Sequence, residues 1–159
     1  MHGLDAYCSN ASFSTLQKEV ETSMPRYWLM KSEPDAYSWD DLEAAGEGIW
    51  DGVRNHKAKA NLQAMQPGDH AFFYHSNIGR EIVGIMEVVE TGLVDPTDPE
   101  GKWAAVKVVP KTQLPSPVPL RAIKDEPQLA EMELLKQSRL SVSEVKPGEW
   151  SIIIALAGI

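Results

Sequence analysis

Trp50-Asp51-Gly52-Val53-Arg54-Asn55 joins a flat indole, a turn pair and two hydrogen-bonding side chains in one short stretch. Its neighbours in meaning are Lys31-Ser32-Glu33-Pro34 upstream and Phe72-Phe73-Tyr74-His75-Ser76-Asn77 downstream. Each block falls at the edge of a predicted strand or helix. Flat apolar faces beside fixed donors suit a planar, polar-edged ligand such as a nucleobase. They suit chemistry less well, because no block holds a nucleophile, a base and an orienting group together.

Outward from these blocks, the pattern predicts a strand over residues 26–32, with Trp28, Met30 and Ser32 on one face and Tyr27, Leu29 and Lys31 on the other. Ser38 followed by Asp41 predicts a capped helix through Ala45, stopped by Gly46 and Gly48. A second helix is expected over residues 55–65, then a turn at Pro67-Gly68-Asp69. Residues 70–76 and 81–89 read as a hairpin, and 103–109 as a further strand. Residues 110–119 read as a proline-rich connection. Pro127 is placed to start a helix to about Gln137. Residues 139–145 read as a short strand, and Pro147 opens a terminal helix with Trp150, Ile153 and Ile154 inward. Strands and helices do not alternate regularly, which favours an α+β fold around a small curled sheet or barrel.

Composition narrows the class. A chain of 159 residues with 43% hydrophobic and 24% charged residues has the makeup of a single globular domain. No apolar run reaches the roughly 20 residues of a membrane span. One cysteine, Cys8, permits neither an internal disulfide nor a cysteine-cluster metal site and fits a reducing cytoplasm. Residues 1–24 are poor in hydrophobic periodicity and are expected to be a disordered extension, or else to follow from an upstream start codon with Met24 the working start. Residues 25–159 are expected to form one domain.

In order along the chain, KSEPDAYSWDDL, WDGVRN, PGDHAFFYHSN, EIVGIMEVVE, DPTD with Trp103, and RLSV resemble the EVE domain family. The resemblance runs over essentially all of residues 26–156, and the family includes many short bacterial proteins. It implies a PUA-like mixed β pseudobarrel flanked by short helices, related to the YTH domains that read methylated adenine in RNA. It also implies a non-enzymatic reader of a modified base in DNA or RNA, with 5-methylcytosine-type marks foremost. Lys31-Ser32 resembles the Lys-Ser ending the first YTH strand, and Trp50 the cage tryptophan that follows it. Tyr37 falls near another pocket position, one residue out of step. Ser143-Glu144-Val145 departs from the usual Gln-Pro-Val and adds negative charge near the candidate rim.

The candidate ligand pocket is therefore Ser32, Glu33, Tyr37, Trp50, Tyr74, His75 and Ser76. Trp50 precedes a turn pair, so its ring is expected at a loop edge, where it stacks on a base or packs between helix and sheet. Glu33 ends a strand and offers a carboxylate to an exocyclic amine. Lys31, Arg54, Asn55, Lys57, Arg139 and Ser141 are the candidate contacts to sugar and phosphate, Arg54 and Asn55 standing at a helix start.

Other chemistry fares worse. Adjacent strand residues point to opposite faces, so His75 does not activate Ser76, and no catalytic group is assigned. His56, His70 and His75 lack metal-ligand spacing, and neither a metal nor a cofactor is expected. A net charge of −8, from 23 acidic and 15 basic residues, opposes a broad grip on phosphate and predicts weak, salt-sensitive binding. Two alternatives stand beside the reader. One is a small nucleoside- or RNA-acting enzyme using Glu33 or His75. The other is a protein-interaction module using the loop around Pro96 and the Pro115–Pro119 segment.

Overall fold

A computed structural model describes residues 25–159; the expected extension over residues 1–24, with Cys8, lies outside the described residues. Apolar β1 (Tyr27–Ser32) has Trp28, Leu29 and Met30 all fully buried, so both of its faces are covered. It pairs in parallel with β3 (His70–His75), from Tyr27 opposite His70 to Ser32 opposite His75. That double burial is what a parallel pair requires. β4 (Glu81–Val94) runs antiparallel to β3, and β5 (Ala104–Pro119) antiparallel to β4. β2 (Gly48–Trp50) and β6 (Val142–Val145) form the two edges, giving the order β2-β5-β4-β3-β1-β6.

The sheet curls. In a flat sheet β2 and β3 would lie roughly 14 Å apart, three strand spacings. Yet the rings of Trp50 on β2 and Phe73 on β3 meet edge to face with centroids 5.4 Å apart. Helix α2 (His56–Ala64) packs on both β5 and β6 and so spans the opening between the edges. Asn61 fastens it there, its Nδ2 donating to the Val142 carbonyl at 2.6 Å. The expected α+β barrel-like sheet with short flanking helices is what the chain forms.

One core lies inside the curl and holds Trp28, Met30, Trp39, Leu42, Trp50 and Phe73. α1 (Trp39–Ala45) closes it on one side. The expected capping box is present: Asp41 N–H donates to Ser38 Oγ, and Ser38 N–H to Asp41 Oδ2. Gly46 ends the helix with φ of 80°. Trp28 donates its indole N–H to buried Asp69 at 2.9 Å, so its burial leaves no orphan donor. Trp39 lies flat on Gly84 of β4, where an added Cβ would stand 2.5 Å from the ring. Gly84→Ala is expected to cost about 1–3 kcal/mol; an unchanged denaturation midpoint would refute this packing.

The second core lies on the outer face and holds Leu29, Phe72, Tyr74 and Ile82. It is covered by α3 (Leu120–Asp125), a 3-10 turn (Pro127–Leu129), α4 (Glu133–Lys136) and α5 (Pro147–Leu156). Ile153 is buried as expected, whereas Trp150 is half-buried and stacks on Phe72 and Tyr27 with centroids at 3.8 and 4.4 Å.

Two expectations are corrected. The proline-rich connection is part of β5. Between the Ile82–Val118 and Gly84–Gln113 pairs, β5 carries surplus residues, and Pro115 and Pro117 fall in that bulge. A residue without an N–H is tolerated where no ladder bond is required of it. The helix expected from Pro127 to Gln137 is broken into the 3-10 turn and α4, its joint marked by the extended backbone of buried Met132.

Candidate functional site

β1 ends at Ser32, and the chain turns at once, the backbone N–H groups of Ala36 and Tyr37 both donating to the Glu33 carbonyl. Ser32 Oγ donates to the Tyr37 carbonyl at 2.6 Å and brings Tyr37 back beside the strand end. β2 delivers Trp50 to the same place. Between them lies a cavity of about 380 Å³ lined by Lys31, Ser32, Ala36, Tyr37, Ile49, Trp50 and Asp51. Space for Tyr37 depends on Gly48, where a Cβ would stand 2.6 Å from the phenol oxygen. Burial, then the nearby charge of Asp41, raises the Tyr37 pKa, so its hydroxyl is a donor at neutral pH.

Trp50 does not stand out at a loop edge. It is 7% exposed and belongs to the inner core, because the curl of the sheet carries β2 over Phe73. Core packing and cavity wall, opposed in the sequence, are one role here. Glu33 is exposed and does not line the cavity; its Oε1 lies 3.5 Å from Asn77 Nδ2. The carboxylate at the cavity belongs instead to Asp51. Its place beside Trp50 in the sequence was the available signal.

The Trp50–Asn55 stretch is held by Asp95 of the DPTD block, to which the sequence assigned no role of its own. Asp95 is fully buried and accepts from Gly52 N–H at 2.8 Å, Arg54 Nη1 at 2.8 Å, and Thr97 N–H and Oγ1 at 2.7 and 2.6 Å. Burial pushes its pKa up, but the bonds from Arg54, Thr97 and Gly52 outweigh burial and hold it well below the ordinary carboxylate value. Asp-Pro-Thr-Asp is a turn signature, and the carboxylate bond back to Thr97 N–H is its local hallmark. Asp98 orders the rest of the loop by accepting from the N–H groups of Glu100, Lys102 and Trp103. Arg54 is thus paired, with its guanidinium 5.5 Å from the Trp103 ring. Asn55 caps α2, its Oδ1 accepting from Ala58 N–H at 2.9 Å.

The third block divides between faces. Tyr74 is buried in the outer core and, with Ser76 and Lys31, lines a separate concavity. His75 faces the inner core, edge-on to Phe73, and its Nε2 accepts the backbone N–H of Trp39 at 3.1 Å. The proposed single pocket is therefore two: Ser32, Tyr37 and Trp50 come together, while Tyr74 and Ser76 stand across the sheet. His75 supports α1 from below and is not in the cavity lining.

His75 accepts at Nε2, so it is neutral in the fold, and burial lowers its pKa despite the opposing charges of Glu81 and Asp40. A lowered folded pKa gives stability that is present above the unfolded value of about 6.5 and lost as pH falls below it. His75→Gln is expected to flatten that loss; an identical stability profile between pH 5 and 7 would contradict the bond.

The expected phosphate contacts partly converge. Asn55, Lys57 and Arg139 border one concavity of about 340 Å³, although Lys57 Nζ is 3.6 Å from Glu133 Oε1. Lys31 donates its backbone N–H to the Ser141 carbonyl and its Nζ to the Ser138 carbonyl at 2.7 Å. Burial lowers the Lys31 pKa. Glu144, expected near the rim, sits opposite Trp28 toward the start of β1 and pairs with Arg26 at 2.8 Å, far from Ser32. Among the described residues no group of three or more His, Cys, Asp or Glu is arranged to hold a metal ion. No described helix is long and apolar enough to cross a membrane.

Residues 26–156 match the EVE domain. The chain belongs to the EVE domain family. This EVE domain is 33% identical to mouse thymocyte nuclear protein 1 over 93% of its own length and 80% of the relative's. Its fold is similar to that of Rpa0253 from Rhodopseudomonas palustris, with a TM-score of 0.79 and 49% identity over 84% of this chain and 93% of that one. Human THYN1, solved in complex with DNA containing 5-methylcytosine, gives a TM-score of 0.79 at 31% identity over 84% and 98% of the two chains. At the level of fold alone, with 19% identity and a TM-score of 0.54, the EVE domain also resembles the YTH domain of Zygosaccharomyces rouxii MRB1.

Proposed function

We propose that this EVE domain, acting as one unit over residues 25–159, is a non-enzymatic module that binds a modified nucleobase in DNA or RNA. The observation that carries the reading is the cavity at the end of β1, where the Trp50 wall meets the polar groups of Ser32, Tyr37 and Asp51. The human relative's complex with 5-methylcytosine DNA supports a 5-methylcytosine-type mark as ligand. A base taken from a duplex must be flipped out, at a cost of a few kcal/mol. Stacking on an aromatic wall returns about 1–3 kcal/mol. Asp51 is placed to accept from the exocyclic amine of cytosine. Burying the methyl group adds roughly 0.8 kcal/mol, a several-fold preference for the modified base.

Ser32 donates its proton to the Tyr37 carbonyl, and His75 Nε2 accepts the Trp39 N–H, so the two register partners are bonded elsewhere and not to each other. These placements support a reader over a hydrolase. Operation in a bacterial cytoplasm is part of the same proposal, supported by the single cysteine and the Rhodopseudomonas relative. The test is a titration against oligonucleotides bearing cytosine, 5-methylcytosine, 5-hydroxymethylcytosine or N6-methyladenine, followed by mass analysis of the recovered strands. A preferred mark and an unaltered strand are expected; turnover of any strand would overturn the non-enzymatic reading.

A further inference from the structure

On this acidic chain half of the described cations are already committed. Arg26, Arg54, Lys57, Lys102, Lys107, Lys111 and Lys136 each lie within 4 Å of a carboxylate. Among the described residues seven have no such partner; Lys59, Arg139 and Lys146 lie elsewhere, while Lys31, Arg80, Arg121 and Lys124 gather along one trough. Its inner part, about 310 Å³, is lined by Lys31, Tyr74, Ser76, Arg80 and Lys124 with their neighbours. Its outer part, about 430 Å³, continues past Arg80, Lys124 and Arg121, with Asp125 on its border. Lys31 also lines the Trp50 cavity, so trough and cavity meet at one residue.

The trough is held in shape. Arg80 and Asn77 both have left-handed backbone, with φ of 49° and 68°, a conformation that residues bearing a Cβ adopt at a cost. The Arg80 carbonyl accepts from Leu120 N–H at 2.9 Å, tying the β3–β4 loop to α3, which bears Arg121 and Lys124. Four unpaired cations beside the hydroxyls of Tyr74 and Ser76 match the needs of phosphate oxygens, which take charge and directed donors together.

We propose that this trough binds the sugar–phosphate backbone flanking the modified base, with Arg80, Arg121 and Lys124 on phosphates beyond the one nearest Lys31. The proposal rests on the base-binding reading and extends it to the path of the strand. It gives a chain of net charge −8 a route to nucleic acid: four of the seven described cations without a carboxylate partner stand in one line beside the cavity.

The test is the salt dependence of binding to a single-stranded oligonucleotide carrying 5-methylcytosine, using the full chain. Arg80→Gln with Lys124→Gln is expected to lower the slope of log affinity against log salt by about 1.4, from roughly 0.7 per phosphate contact. Arg80→Lys with Lys124→Arg should keep the slope, as should the charge-matched pair Lys111→Gln and Lys146→Gln. Affinity for the free nucleoside 5-methyl-2′-deoxycytidine should not change. Should the Arg80 variant fail to fold, Arg121→Gln with Lys124→Gln, both exposed on α3, is expected to give the same fall. An unchanged slope overturns the trough, as does absence of oligonucleotide binding by the wild-type chain. Loss of inorganic phosphate binding with the oligonucleotide slope intact would assign it to a free anion and overturn it equally. A wild-type chain with a normal slope but no preference for the modified base would refute the base reading and leave the trough standing.

Discussion

Trp50→Ala is expected to cost about 3–5 kcal/mol of stability and to remove modified-base recognition at the same time. The two effects share a cause. Trp50 is 7% exposed, rests edge-on against Phe73, and spans the curl of the sheet, while its remaining surface walls the cavity. Truncation opens a void in the inner core and takes away the surface on which a base would stack. Trp50→Phe separates the two consequences, since it keeps an aromatic ring in the core but a smaller face toward the cavity. Its unfolding free energy should fall by less than half as much, with the preference for a modified base clearly weakened. Wild-type stability in Trp50→Ala would contradict the packing, and an undiminished preference in Trp50→Phe would contradict the wall.

Asp95→Asn is expected to destabilise the domain by about 3 kcal/mol, with a pH dependence that identifies its origin. The carboxylate is fully buried and accepts from Gly52, Arg54 and Thr97, so an amide both loses charge-assisted bonds and sets donors against donors. Because the folded pKa is held below the unfolded value of about 3.9, the contribution is present above that value. It disappears as pH falls further, through the folded pKa. The gap between wild type and Asp95→Asn should therefore be constant near neutrality and narrow below about pH 4. A gap that does not narrow would locate the effect in packing alone. Since Gly52 and Arg54 are anchored here, the variant should also weaken ligand binding through the displaced Trp50–Asn55 loop.

Local chemistry carried much of the fold into the sequence. The Ser38–Asp41 box, the Asn55 cap, the strand faces of β1 and the opposite facing of His75 and Ser76 each depend on near neighbours, and each is found. What depended on distant contacts was less legible. The side of the sheet that meets Trp50 is set by curvature, which no local pattern encodes, so Tyr74 and Ser76 were grouped with a cavity on the other face. Likewise Pro115 and Pro117 read as a connection because their accommodation needs the bulge against Ile82 and Gly84. The anchoring role of Asp95, within the DPTD block, was hidden for a similar reason: its partners Gly52 and Arg54 lie about forty residues away in sequence. Glu33 was the acidic candidate and Asp51 read only as half of a turn pair, because the turn after Ser32 that decides which lines the cavity has no local signature.

Entry of a modified base into the cavity formed by Ser32, Tyr37 and Trp50 is the step on which the proposed function depends. It is tested most directly by titrating wild-type protein with two single strands that differ only in one cytosine methyl group, at low salt, reading tryptophan fluorescence. Several-fold tighter binding of the methylated strand is expected, accompanied by a change in emission that is lost when Trp50 is replaced by phenylalanine. Equal affinity for the two strands, or an unaltered signal in the Trp50→Phe protein, would contradict it.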